Sequence, residues 1–387
     1  MISHRRGFLS GTATAAAALA AISSPAAAET DPPVRVRRPI PSAVQPVTVY
    51  NLRELEARSE QVLSKGTFDY IAGASGDEWT HAENQAALKR ITLAPHYLSG
   101  VGSADLSTTL LGAKVAAPFF IAPMGTYGMV HATAEVGAAQ AAAAEGILMC
   151  PSTYSTSTLE AIAAAGASPK WFQVYLPADR GVARELLMRA KAAGYLAMAV
   201  TIDVDVRGNH ERDDRNHYPG PGELLPMGNF AVRSQSTKKP DLNWDDIEFV
   251  QKVTGLPVFI KGVLGADLVK QARKAGLAGV YVSNHGGRQL DDTPASTTVL
   301  PRIVDAADGK LTVVVDSGFR RGQDVFKALA LGANAVGIGR PILYGLSLGG
   351  PMGVQATLAR LKAELEMTMR LMGTRTVAEI GRKHLYT

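Results

Sequence analysis

Cysteine is almost missing from this chain: 387 residues carry one thiol, Cys150. A lone thiol excludes an internal disulfide framework, a multi-cysteine metal site and the C-x-x-C-H attachment of a c-type haem. It follows the apolar stretch Gly146-Ile147-Leu148-Met149, which predicts a buried structural thiol. Net charge is small too. The formal net charge is +5, with no dense basic cluster interleaved with aromatics, so a nucleic-acid partner is excluded. Long hydrophobic runs are also lacking, since the run at about residues 11–22 is Ala-rich and short for a bilayer span. What is present is 46% hydrophobic and 19% charged residues, the composition of a globular protein. The length suits one large α/β domain or two ordinary ones.

The N-terminus reads as targeting. Arg5-Arg6 precede Gly7-Phe8-Leu9 and the Ala-rich run, and Pro25-Ala26-Ala27-Ala28 resembles a cleavage site. A twin arginine before a moderately apolar core predicts a Tat-type signal over residues 1–28 and a periplasmic destination. An uncleaved N-terminal anchor is the alternative. Residues 29–46, with five prolines, read as an extended linker, and residues 47–387 as the working domain.

Residues 51–64 and 67–89 have helical spacing, broken by Gly73 and Gly76. Then apolar, β-branched runs alternate with Ala/Leu/Lys/Glu stretches, as parallel βα units do. Eight runs fit strands: 119–123, 146–150, 171–175, 197–203, 257–261, 279–283, 312–316 and 335–339. Helices are expected between them at 134–144, 158–165, 182–193, 244–254, 266–275 and 323–331. Eight units predict a (β/α)8 TIM barrel, an α/β fold, here with an N-terminal helical extension. Residues 208–241 break the rhythm, being long, rich in Pro and Gly and nearly aperiodic. Such a loop after the fourth strand predicts a lid over the active site.

Barrel active sites form where the C-terminal ends of strands converge. Those ends carry Pro123-Met124-Gly125, Ser152, Gln173 with Tyr175, Thr201 with Asp203, Lys261, Ser283-Asn284-His285, Asp316 and Gly339-Arg340. The last two are followed or formed by "DSGFRRG" and "GIGRP", two glycine–arginine loops where such barrels hold a phosphate. A barrel oxidoreductase with a nucleophilic cysteine after the sixth strand is disfavoured, because Cys150 lies on the second.

The segments "SNHGGRQLD", "VVVDSGFRRGQDVFKALALGANAV" and "GIGRP", preceded by "FQVYLPADR" and "VTIDVD", resemble the FMN-dependent α-hydroxy-acid oxidase and dehydrogenase family. The likeness runs from about residue 47 to the C-terminus and is closest in motif to the lactate-oxidase branch. The resemblance implies a barrel that binds FMN and oxidises an L-2-hydroxy acid to a 2-oxo acid. It implies that His285 takes the substrate proton while a hydride equivalent passes to flavin N5, with Asp203 steadying the imidazolium. Lys261 would lie beside flavin N1, Tyr175 on the substrate hydroxyl, and Tyr70 and Arg288 on its carboxylate. Flavin-ring and ribityl contacts fall on Pro123, Met124, Gly125, Ser152, Gln173, Thr201, Lys261 and Ser283. The phosphate end falls on Asp316, Gly318, Arg320, Gly339 and Arg340. No metal is implied. The electron acceptor is oxygen, giving peroxide, or a quinone or cytochrome, and the family suggests a homotetramer.

Two positions depart from the family pattern. His210 stands where an arginine is a second carboxylate ligand, which predicts weaker or pH-dependent substrate binding through the histidine. The same change leaves open an FMN-binding barrel with altered or lost activity. Gly125 stands where alanine is common, which predicts room for a larger α-substituent or altered oxygen access.

Overall fold

The computed structural model describes residues 38–386; the expected signal at 1–28 and residues 29–37 of the linker lie outside the described residues. Eight parallel strands form one sheet: β1 (Phe119–Ile121), β2 (Leu148–Met149), β3 (Phe172–Val174), β4 (Met198–Thr201), β5 (Val258–Val263), β6 (Gly279–Val282), β7 (Thr312–Val315) and β8 (Ala335–Ile338). Each lies within two residues of the span predicted for it. Neighbours pair in chain order, and β8 returns to β1 through Val336–Phe119 and Ile338–Ile121. The remaining seam, β2 against β3, is joined by the parallel bridges Met149–Lys170 and Ser152–Gln173. The (β/α)8 barrel is closed.

Parallel strands buried on both faces need apolar residues in succession, and these have them: β1, β3, β4, β6 and β8 are buried along their whole length. Phe120, Trp171, Phe259 and Tyr281 share an inner cluster that also takes in Cys150. The Trp171 and Phe259 rings stack at 4.9 Å, and Phe120 meets Trp171 and Tyr281 at 5.6 Å. Cys150 is the buried structural thiol that its sequence context predicted, with burial pushing its pKa up beyond any reactive range. A short antiparallel hairpin, Thr108–Leu110 with Ala113–Val115, adds Leu110 and Val115 to the same cluster.

Among the described residues, three helices precede the barrel: α1 (Glu54–Val62), α2 (Lys65–Ala72) and α3 (Trp79–Arg90). They are docked by polar contacts. The Asp291 carboxylate accepts from the Trp79 and Thr80 amides and caps α3 from the loop after β6. Asn84 and Asn284 exchange amide hydrogen bonds of 2.9 and 2.8 Å while buried. The segment read as an aperiodic lid contains two short helices, Glu211–Arg215 and Pro221–Leu224, and a 3-10 turn at Arg233–Ser236. It is pinned to the barrel top by Asn229 Nδ2 donating to Thr153 O (2.9 Å) and Tyr154 Oη donating to Ser236 O (2.8 Å).

Replacing Phe259 by Ala removes a fully buried ring from the barrel interior. The expected loss is about 3–5 kcal/mol in a denaturant titration. Met188→Ala, on an exposed helix face, is expected to stay within about 0.5 kcal/mol.

Candidate active site

The C-terminal ends of the strands and the carbonyl end of α2 enclose one cavity. Its wall includes Tyr70, Pro123, Met124, Gly125, Lys261, His285, Arg288, Asp316, Gly318, Arg320, Gly339 and Arg340. All twelve were expected at a site. A second cleft, of about 480 Å³, opens near the N-terminal ends of β6 and β7. Of its four cations, Lys270, Arg273 and Lys310 are paired with Asp267 or Asp308, and Lys274 also lines it.

His285 follows β6 in the left-handed region, at φ 58°, and Gly286 and Gly287 continue there at 69° and 78°. Ser283 Oγ accepts from the His285 amide (3.0 Å) and Ser317 Oγ from the Gly286 amide (3.1 Å), so the turn's donors are satisfied. A Cβ on Gly287 would lie 2.7 Å from the His81 amide nitrogen, and one on Gly286 2.9 Å from an Arg340 nitrogen. These glycines therefore admit α3 and Arg340, besides turning the chain.

The imidazole has one tautomer that fits. Nδ1 lies 3.1 and 3.3 Å from the two Asp203 oxygens, which only accept, so Nδ1 carries the proton. Nε2 is then the free base, with the Tyr175 hydroxyl 3.4 Å away. Burial and then the Lys261 charge pull the His285 pKa below its ordinary value, with Asp203 opposing them. The ring is a neutral base at neutral pH. Burial pushes the Asp203 carboxyl up, but His285 and Lys261 outweigh it and hold it below the usual carboxylate range. Burial above all keeps the Tyr175 hydroxyl protonated. Asp203 reaches the ring because β5 bulges at Gly262, where φ is 109° and a Cβ would lie 2.6 Å from Asp203.

Lys261 is 3% exposed, donates to Ser283 Oγ (3.1 Å) and sits 4.0 Å from Asp316. Ser152, Gln173 and Thr201 form a chain across three neighbouring strand ends: Ser152 Oγ donates to Gln173 Oε1 and Gln173 Nε2 to Thr201 Oγ1, each 2.7 Å. None of these three lines the cavity, nor does Ser283; Ser283 is tied to the wall through Lys261, and Thr201 lies opposite Lys261 on the neighbouring strand.

Two arginines converge on α2. Arg288 Nη1 donates to Tyr70 O (2.5 Å) and Gly73 O (2.9 Å), and its guanidinium lies 4.7 Å over the Tyr70 ring. Arg340 donates to Ile71 O, Gly73 O and Gly286 O. Burial, then repulsion from Arg288, brings the Arg340 pKa down to about 10. Arg320 is buried nearby, and its Nη2 has no partner. An orphaned buried cation beside a second arginine calls for an anion. With Gly318 and Gly339 alongside, this end of the cavity fits a phosphate, and the buried Lys261 fits an electron-accepting ring beside the base.

One expectation is corrected. His210 does not line the cavity: Nε2 meets Arg288 O at 2.7 Å and Nδ1 meets Asp213 Oδ2 at 3.2 Å. With both nitrogens on protein acceptors, neither is left for a substrate carboxylate in this arrangement. Gly125 does line the cavity, but a methyl there would also sit 3.2 Å from the Tyr154 carbonyl oxygen. Sequence reasoning missed Ser317, which lines the cavity and bonds Asp316 Oδ1 at 2.9 Å, although it sits within "DSGFRRG". Tyr154, at the strand end that carries Ser152 but given no role from sequence, stacks on Tyr175 at 4.7 Å.

The model for the FMN-dependent dehydrogenase family matches residues 59–387. Glycolate oxidase 1 of Zea mays is 41% identical over 88% of this chain and 96% of its own length. The L-lactate oxidase of a Nostoc species is 41% identical over 87% and 98%. Among solved structures, a lactate oxidase of Pediococcus acidilactici superposes with a TM-score of 0.85 at 39% identity, covering 89% of this chain and 96% of that one. A mandelate oxidase does so with a TM-score of 0.83 at 35% identity, covering 88% and 98%. The buried cationic end, the buried lysine and the aspartate-held histidine thus accompany a match over most of the chain, and the protein belongs to the FMN-dependent dehydrogenase family.

Proposed function

We propose that the protein oxidises an L-2-hydroxy acid to the 2-oxo acid, and that oxygen takes up the electrons with formation of hydrogen peroxide. The observation that carries this reading is the neutral His285, held by Asp203 in a cavity wall it shares with the Arg288 guanidinium. A base and a carboxylate-binding cation in one cavity suit a substrate with an acid group next to the carbon that reacts. Oxygen is favoured by the relatives, which are named oxidases.

Arg288 recognises the carboxylate. Its carbonyl partners leave part of the guanidinium fork for a charge-assisted pair, and Tyr70 lies against its face. Tyr175, kept protonated, orients the substrate hydroxyl. His285 Nε2 removes a substrate proton, and Asp203 stabilises the imidazolium that forms. Lys261 presents a fixed buried charge that favours negative charge developing near it. FMN, held by Arg320, Arg340, Gly318 and Gly339 at its phosphate, supplies a two-electron acceptor when bound. Gly125 leaves room on its side of the cavity for a bulkier α-substituent.

Purified holoenzyme is expected to lose its yellow absorbance anaerobically with L-lactate, glycolate or L-mandelate, and to regain it with peroxide release when air enters. Bleaching by none of the three, or no recovery in air until a quinone is added, would refute the corresponding half of the proposal. His285→Gln is expected to slow anaerobic bleaching about 10²–10⁴-fold while FMN stays bound. The wild-type rate should rise with pH through the lowered His285 pKa and level off by neutrality. Asp203→Asn removes an interaction that raises this pKa, so the acid limb should move to still lower pH while the plateau falls. An unmoved limb would remove Asp203 from this role.

We further propose export by the twin-arginine route, on the strength of Arg5-Arg6 and the Ala-rich run behind them. The double change Arg5→Lys, Arg6→Lys should leave the flavoprotein in the cytoplasmic fraction. Its continued export would refute the route.

A further inference from the structure

The chain leaving β4 is pressed against the peptide of Arg288. A Cβ on Gly208 would lie 2.3 Å from Arg288 O, so only glycine lets the two segments approach this closely. Gln289 Nε2 donates to Asp203 O (3.0 Å) and Val206 O (2.9 Å), crossing the same seam. His210 closes it, with Nε2 2.7 Å from Arg288 O and Nδ1 3.2 Å from Asp213 Oδ2.

Both of these partners only accept. A carbonyl oxygen has no proton to give, and Asp213 is ionised: burial opposes its charge, but His210, Arg288 and Arg207 outweigh burial and lower its pKa. A neutral imidazole carries one N–H and satisfies one acceptor, leaving a lone pair facing the other. Only the doubly protonated ring satisfies both. The side chains of His210 and Asp213 are 11% and 2% exposed, so water cannot readily replace either bond. The charged groups around the ring are consistent with this. Arg207 shares Asp213 Oδ2 at 3.0 Å, and Arg288 lies across the seam. From the N-terminal helices, Asp69 takes Asn216 at 2.7 Å and Glu78 takes Arg212, so neither acid competes for the ring.

We propose that His210 is a positioning residue for carboxylate recognition: its doubly protonated ring bridges Arg288 O and Asp213, and so locks the lid to the loop that presents the Arg288 guanidinium. This deepens, and rests on, the reading of the cavity as a hydroxy-acid site. The cation implied at this position by the family pattern is retained, but it acts on the backbone of the substrate-binding arginine. Losing either arm of the bridge frees the Arg288 peptide to shift.

The test uses FMN-loaded full-length protein, with acetate as a carboxylate that cannot be oxidised and its Kd read from perturbation of the flavin absorbance. Nitrogen-15 NMR of histidine-labelled protein, with the His210 signals assigned by their loss in His210→Phe, reads the ring's protons without any turnover. Both ring nitrogens should bear protons in the acetate-binding protein. His210→Phe should weaken acetate about tenfold, the effect of losing a hydrogen bond from a charged group. Asp213→Asn separates positioning from general damage. Its amide can donate to Nδ1, so a neutral ring keeps the Nε2 bond to Arg288, and acetate should bind with near wild-type affinity although one ring proton is gone. A His210 ring with only one protonated nitrogen, or wild-type acetate affinity in His210→Phe, overturns the inference. If hydroxy acids fail to bleach the flavin while acetate and the His210 signals behave as stated, the activity reading falls and the positioning role stands.

Discussion

The carbonyl end of α2 is where the site is held together. Tyr70 O, Ile71 O and Gly73 O receive hydrogen bonds from Arg288 and Arg340, two guanidinium groups that would repel one another if left bare in a buried wall. The last carbonyls of a helix lack intrahelical partners and carry its negative partial charge, so they suit this pair. Neither arginine belongs to the N-terminal segment: one follows β6 and the other β8. The helix therefore joins the substrate end and the phosphate end of the cavity through one set of acceptors.

This makes the N-terminal extension part of the active site. Asp291, in the loop that carries His285 and Arg288, caps α3, and the Asn84–Asn284 pair fastens the same loop one residue before the base. Removing the extension would expose the cavity and strand both arginines. The barrel supplies the base and the electron-acceptor site, while the extension supplies the floor against which the substrate-binding cation rests.

Most of the barrel was legible because parallel strands buried on both faces must be apolar in succession, and the strand ends must turn polar. Six helices between strands also fell within about two residues of their predicted bounds. Two long elements escaped. Ser296–Ala307 begins just after Pro294, and Arg340–Leu371 carries enough glycine and proline to mask its helical pattern, with a kink at Gly349 and Gly350. The contacts that assemble the site were less legible for a different reason. Asn84 and Asn284 are 200 residues apart, and nothing in local periodicity reports such a pairing. His210 shows the limit of positional matching. Placing it at a ligand's position was sound in sequence, but the shorter ring ends at the Arg288 carbonyl and cannot stand in for a guanidinium reaching the cavity.

The base itself occupies a costly conformation. An L-residue in the left-handed region loses about 1–2 kcal/mol, and His285 adopts it without glycine's freedom. The surroundings over-determine the turn. Ser283 and Ser317 satisfy consecutive amides, Asn284 accepts from Gly287 N–H, and two glycines complete the reversal under α3 and Arg340. Strain of this kind persists where neighbours leave no alternative, and here it fixes the direction in which the imidazole leaves the backbone. Asp203 fixes its tautomer. Together they aim one unprotonated nitrogen, Nε2, toward Tyr175 and leave the ring little freedom to turn away.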